Sequence, residues 1–382
     1  MKSLNLIKSV VLFVLLGTIN MTAQTTGREK ELMELLYNSG DPAKALSLAN
    51  KVDSLNYRDS RGYTPLMFAS ERSYSDVCKA LVDRGANVNL QAKTGETALI
   101  MASAKGNNEI VKLLLSKGCQ TDMLNNDGIT ALDAAIIKGH IETAKILSEN
   151  GAKLNLQDKN GMTPLFFATK FGNYDIVKLL LGKGADFELP LNNGVTPLMV
   201  ASEDGNTAIA ALLLDKGARI DAQDKSDNWS ALIYASYSGK AEVVKILLGK
   251  GANINLQAKG GFTPLMLASQ YGHTDIVKAL MEKGAKPDLK ISTGQTALMF
   301  ASVHGETDII RLLLEKGADV NIQASNGQTA LISASYLGKA EIVKLLLDKG
   351  ANAELKSDEG KTAYDYAKND TIKTIISSYK KK

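Results

Sequence analysis

Apolar residues recur along this chain in short blocks of two kinds, separated by polar punctuation at fixed places. One kind, such as Leu66-Met67-Phe68-Ala69, follows a threonine or serine; the other is longer, such as Ile110-Val111-Lys112-Leu113-Leu114-Leu115. The hydroxyl residue reads as an N-cap, its side-chain oxygen accepting from an orphan amide of the first helical turn. Pro65, Pro164, Pro197 and Pro264 stand directly after it, where a missing N–H costs nothing. Glycine ends the first block in most units (Gly106, Gly139, Gly172, Gly205, Gly239, Gly272, Gly305, Gly338). A second set (Gly85, Gly118, Gly151, Gly184, Gly217, Gly251, Gly284, Gly317, Gly350) closes the longer block, as left-handed helix stops do. Extended, turn-rich stretches such as Val88-Asn89-Leu90-Gln91 then lead to the next cap. The pattern predicts two short helices and a hairpin-like connection per unit.

The unit repeats. Thr64, Thr97, Thr130, Thr163 and Thr196 are 33 residues apart, Ser230 follows after 34, and Thr263, Thr296, Thr329 and Thr362 resume the 33-residue step. A period of this size signals a solenoid rather than separate globular domains.

Ten successive units carry the pattern seen in Gly261-Phe262-Thr263-Pro264-Leu265-Met266-Leu267-Ala268-Ser269 or end as Gly317-Ala318-Asp319-Val320-Asn321 does. This resembles the ankyrin repeat. The resemblance implies an all-α ankyrin-repeat solenoid of stacked helix–turn–helix units with short β-hairpin-like loops. Residues 24–60 then form a degenerate N-terminal capping repeat, residues 61–358 the array, and residues 359–382 a short, lysine-ended C-terminal capping repeat. One departure stands out. The histidine of the family pattern is replaced by Met67, Ile100, Asp133, Phe166, Met199, Ile233, Met266, Met299, Ile332 and Asp365, so apolar packing is expected where the family makes a polar contact.

Residues 1–23 differ in character: Lys2 and Lys8 precede the apolar run from Val10 to Leu16, and the chain turns polar after it. This is the composition of a secretory signal peptide, with cleavage expected after Ala23. The run is too short for the ~20 apolar residues of a spanning helix. A mature protein in the periplasm or secreted, with no membrane span, is the expectation. Its formal charge falls from +4 to +2 when Lys2 and Lys8 are removed, and without a basic stripe nucleic acid is not an expected partner. Cys78 and Cys119 lie a repeat apart at different heights, so both read as buried apolar residues rather than a disulfide.

Candidate chemistry is sparse. His140, His273 and His304 each stand beside an inter-helix glycine, where solvated turn residues are expected, and no ligand or nucleophile constellation accompanies them. No enzyme activity, metal or cofactor is expected. The resemblance implies instead that the residue before each N-cap and the two residues before each inter-helix glycine contact a partner protein. The first position holds the apolar residues Tyr63, Ile129, Met162, Val195, Trp229 and Phe262; the second contributes Phe171, Tyr237, Tyr271 and Tyr336. Such a stripe is expected to be exposed and to mark an interaction surface, with inter-repeat packing as the alternative. Met101, Phe167 and Phe300, inside the first helices, are expected in the core. The sole tryptophan sits on the one lengthened hairpin, where Asn228 stands in for glycine in a left-handed conformation. A monomeric scaffold for another protein is the leading expectation, with an inhibitor or immunity-type protein that neutralises an enzyme or toxin as the alternative. A small-molecule binder ranks below both.

Overall fold

The computed structural model describes residues 27–38 and 40–380; the expected signal peptide and its cleavage point lie outside them. Among the described residues the chain forms 21 α-helices and no β-strand. They divide into two compact units, one ending at Lys153 and the other beginning at Leu154, and each is an all-α repeat solenoid.

In the first unit the helices Pro65–Glu71, Ala98–Lys105 and Ala131–Ile137 stack on one another, each backed by a second helix: Ser75–Asp83, Asn108–Ser116 and Ile141–Glu149. The second unit repeats the arrangement from Pro164–Lys170 to Ala340–Asp348. Caps begin the first helices as the sequence predicts: Thr97 Oγ1 accepts from Ile100 N at 3.1 Å and Thr163 Oγ1 from Phe166 N at 3.1 Å. Each such bond contributes about 1 kcal/mol. Of the residues replacing the family histidine all but Asp365, which is exposed, are buried, Met67 and Met266 among them. Where that residue is acidic, it completes the cap: Thr130 N and Oγ1 both donate to Asp133 Oδ2 (3.0 and 2.7 Å), and Thr362 does the same to Asp365.

Hairpin tips join successive repeats through the backbone. Lys93 N donates to Arg61 O (2.8 Å) in the first unit; Lys225 N to Asn193 O and Lys259 N to Asp227 O (both 2.8 Å) continue the pattern in the second. Asn228 has φ 54, so the inserted residue is absorbed by a left-handed position as expected.

The ends differ. Helices Gly27–Tyr37 and Pro42–Ala49 form the N-terminal repeat, and Leu32, Met33 and Leu36 are buried. Arg72 donates to the carbonyls of Leu36 and Tyr37, and Arg84 to those of Ala49 and Val52, satisfying helix ends that lack a glycine stop. In the last repeat residues 363–366 make turns instead of a first helix, and Asp370–Lys380 covers the array with buried Ile372 and Ile376. Both cysteines are free and buried, and burial pushes each thiol up to about 12.

Candidate interaction surface

The apolar residues before the N-caps fold inward more than expected. Each carbonyl accepts the hairpin amide, as Trp229 O does from Asp224 N at 3.0 Å, and this fixes the side chain beside the first helix of its own repeat. Tyr63 stacks on Phe68 (ring centroids 5.3 Å), Trp229 meets Tyr234 edge-on (5.1 Å), and Phe262 tilts against Phe300 of the next repeat (5.7 Å). Tyr63, Met162, Val195, Trp229 and Phe262 are therefore half-buried, and Ile129 at 8% exposure belongs to the core. The expected exposed stripe is corrected accordingly: these apolar side chains are half-buried or buried, and Tyr63, Trp229 and Phe262 pack on neighbouring rings. Conversely, Met101 and Phe300 are half-buried rather than core, while Phe167 is buried.

The two positions before the inter-helix glycine behave differently. In the second unit they expose Phe171 (39%), Tyr271 (48%) and Tyr336 (64%), with Val303 and Leu337 beside them in the same register. Tyr237 is half-buried. In the first unit the same positions hold Glu71-Arg72, Ala104-Lys105 and Ile137-Lys138. Apolar exposure at this register is thus a property of the second unit.

Within that unit the aromatic residues form a connected set. Trp229, Tyr237 and Phe262 pack on the buried group Ile233, Ala258 and Leu267. Tyr237 touches Trp229 (5.0 Å, tilted) on one side and Tyr271 (4.9 Å, edge-on) on the other. Tyr234, which the sequence reading missed, donates its hydroxyl to the buried Asp224 Oδ2 at 2.7 Å. The signal lay in the register, since Phe68 and Phe300 occupy the same place in their repeats. Burial, the bond to Asp224 and the nearby carboxylates together raise the Tyr234 phenol far above its ordinary range. Asp224 Oδ1 also accepts from Ser226 N (2.9 Å) and Asp227 N (2.8 Å), so one carboxylate organises the lengthened tip that carries Trp229. Lys170 pairs with both oxygens of Asp204 at 2.9 Å, placing a neutralised pair beside Phe171.

Two histidines are not solvated turn residues. His140 Nε2 lies 3.2 Å from Ala104 O and His273 Nε2 3.0 Å from Tyr237 O, each bridging to the preceding repeat. His304 is exposed in the last turn of Ala297–His304. Among the described residues no group of three or more His, Cys, Asp or Glu side chains is placed to hold a metal, and no helix is long and apolar enough to cross a membrane.

A family model described as ankyrin repeats (3 copies) matches residues 86–158, 150–224, 184–258 and 232–324. A second, described as ankyrin repeats (many copies), matches residues 48–102 and 313–367. Among solved structures the chain is similar to the crystal structure of the human ASB11 ankyrin repeat domain: 26% identity, 59% of this chain and 99% of that chain covered, TM-score 0.53. No curated protein matches.

Proposed function

The chain belongs to the ankyrin-repeat family, and on that premise we propose that it is an exported, non-catalytic scaffold that holds a partner protein on the aromatic face of its second unit. Ankyrin repeats generally mediate protein–protein interaction. The observation that carries the proposal is the exposure of Phe171, Tyr271 and Tyr336 at one repeated register, a place where packing does not require them. Large apolar side chains exposed in register mark an interaction surface, and tyrosine is favoured where binding energy concentrates. Export is supported by the basic residues and apolar run of positions 1–23.

The test is affinity capture from cell-envelope extract with the mature protein and with a Phe171→Ala, Tyr271→Ala, Tyr336→Ala variant. True anchors each cost about 2 kcal/mol or more on truncation, so a partner retained by the parent and lost by the variant supports the proposal. Equal capture by both moves the binding surface elsewhere, and capture by neither removes the scaffold function. Assaying the captured partner for activity, bound and free, separates a scaffold from an inhibitor. The N-terminal sequence of exported protein tests cleavage after Ala23.

A further inference from the structure

Four asparagines in this chain stand directly before a glycine: Asn150, Asn160, Asn193 and Asn326. Such an asparagine can modify itself. The amide nitrogen of the next residue attacks the side-chain carbonyl carbon, and glycine, with no side chain, obstructs that approach least. The peptide group between the two residues must turn and its nitrogen must give up a proton. Hydrogen bonds held by that peptide therefore oppose the reaction, which waits on local opening.

Three of the pairs sit at hairpin tips of the second unit, where this peptide is held at both ends. Gly161 N donates to Asp158 O (3.0 Å), Gly194 N to Leu191 O (2.8 Å) and Gly327 N to Ala324 O (2.9 Å). On the other side of the same peptides, Asn160 O accepts from Asn192 N (3.1 Å), Asn193 O from Lys225 N (2.8 Å) and Asn326 O from Asp358 N (3.0 Å). The bonds that tie successive tips together thus also lock these asparagines.

Asn150 ends helix Ile141–Glu149, the last helix of the first unit, and its peptide is free. Among the described residues neither Asn150 O nor Gly151 N makes a hydrogen bond. The other glycines of this register all donate to the carbonyl three residues back, as Gly85 N does to Val82 O (3.0 Å) and Gly350 N to Leu347 O (3.0 Å). Asn150 is exposed, and nothing lies within 4 Å of the place a Cβ would take on Gly151. The residue type is exceptional as well. From Arg84 to Lys349 the equivalent residues are all arginine or lysine, cations that suit a helix C-terminus.

We propose that Asn150 is a self-modification site, where the amide is converted to aspartate and isoaspartate. Gly151 N bonds to Asn150 Cγ as the Cγ–Nδ2 bond breaks, and ammonia leaves with the proton that Gly151 N gives up. The product is a five-membered succinimide, which solvent water opens. Breaking the ring bond from nitrogen to Cγ gives aspartate. Breaking the bond from nitrogen to the main-chain carbonyl carbon gives isoaspartate, with the side-chain methylene now in the backbone. Either product loses the bond that Asn150 Nδ2 donates to Ile146 O (2.7 Å) and puts a negative charge at the unfavourable end of the helix dipole. Ageing thereby loosens the last helix of the first unit and spares the hairpin tips.

The test holds the full chain at pH 8 and 37 °C and follows tryptic peptides by mass spectrometry over time. Trypsin releases Asn150 in residues 146–153, apart from the other three pairs. The mass gain of an amide-to-acid exchange is expected in that peptide, as two chromatographically separate products, at least about tenfold faster than at Asn160, Asn193 or Asn326. In urea, where the protecting bonds are gone, all four are expected to convert at similar rates. Asn150→Lys, which restores the residue of the register, should abolish the folded-state product. Conversion of the hairpin asparagines as fast as Asn150 in the folded chain, or an Asn150 that converts only in urea, would overturn the proposal. Converted chain isolated by anion exchange should show faster amide exchange across residues 141–153 than unconverted chain; equal exchange would overturn the loosening of the helix.

Discussion

Gly239→Ala tests how one repeat's turn is locked to the next. Gly239 has φ 70, and a Cβ built there would lie 2.8 Å from His273 Cε1 and 3.0 Å from Nδ1. Two costs follow. An L-residue in the left-handed region loses about 1–2 kcal/mol. The displaced imidazole also gives up its bond to Tyr237 O, worth about 0.5–1.5 kcal/mol. The expected destabilisation is about 2–3 kcal/mol, measured by urea unfolding followed by far-UV circular dichroism. Gly251→Ala is the control: φ is 88, but nothing lies within 4 Å of the added Cβ, so only the backbone cost applies. On a His273→Ala background the steric part vanishes, and Gly239→Ala should then cost no more than Gly251→Ala does. If the two glycine variants are equally destabilised in the parent chain, the ring does not constrain the turn and the reasoning fails.

Arg84→Ala removes two bonds to helix-end carbonyls at a partly solvated site; it should destabilise the N-terminal repeat by about 1–2 kcal/mol and raise amide exchange across residues 27–52 before any other region responds. The Tyr234 phenol is raised in the folded protein, chiefly by burial and then by its bond to Asp224. The folded state therefore keeps a proton that the unfolded chain releases above pH ~10. The stability from this group is full below that pH and declines above it, and Tyr234→Phe should flatten the decline in unfolding experiments between pH 9 and 11. The buried thiols, both pushed up to about 12, should resist a thiol reagent at pH 8 until denaturant is added; fast reaction of either in native buffer would contradict their burial.

Most of the fold was legible because each repeat states its boundaries locally. A hydroxyl cap, a proline after it and a glycine stop act within a few residues of themselves, so reading along the chain finds them. The N-terminal repeat was harder, because Arg72 and Arg84 reach back across a repeat length to cap its helices. The candidate surface was half legible. Phe171, Tyr271 and Tyr336 are exposed, but the residues before the N-caps lean onto rings supplied by their own or the following repeat, as Phe262 does on Phe300. Exposure there depends on the size of a neighbour, which periodicity alone does not weigh. The bond from Tyr234 to Asp224 escaped for the same reason, since it joins a helix to a hairpin ten residues earlier. His273 looked solvated because its partner is a backbone carbonyl, which no sequence motif marks.

The extra residue in the hairpin before Ser230 leaves the flanking connections in place: Lys225 N still meets Asn193 O, and Lys259 N still meets Asp227 O. Chain length is therefore a free variable at the tip, decoupled from the helix stacking on either side. Evolution can lengthen one tip without renegotiating its neighbours, and so can an engineer. A peptide spliced at Ser226 would enter a site whose base is already held by Asp224, beside aromatic rings and with a fluorescent reporter next to it. The irregular repeat is thus the place where this array can acquire new specificity while its scaffold stays the same.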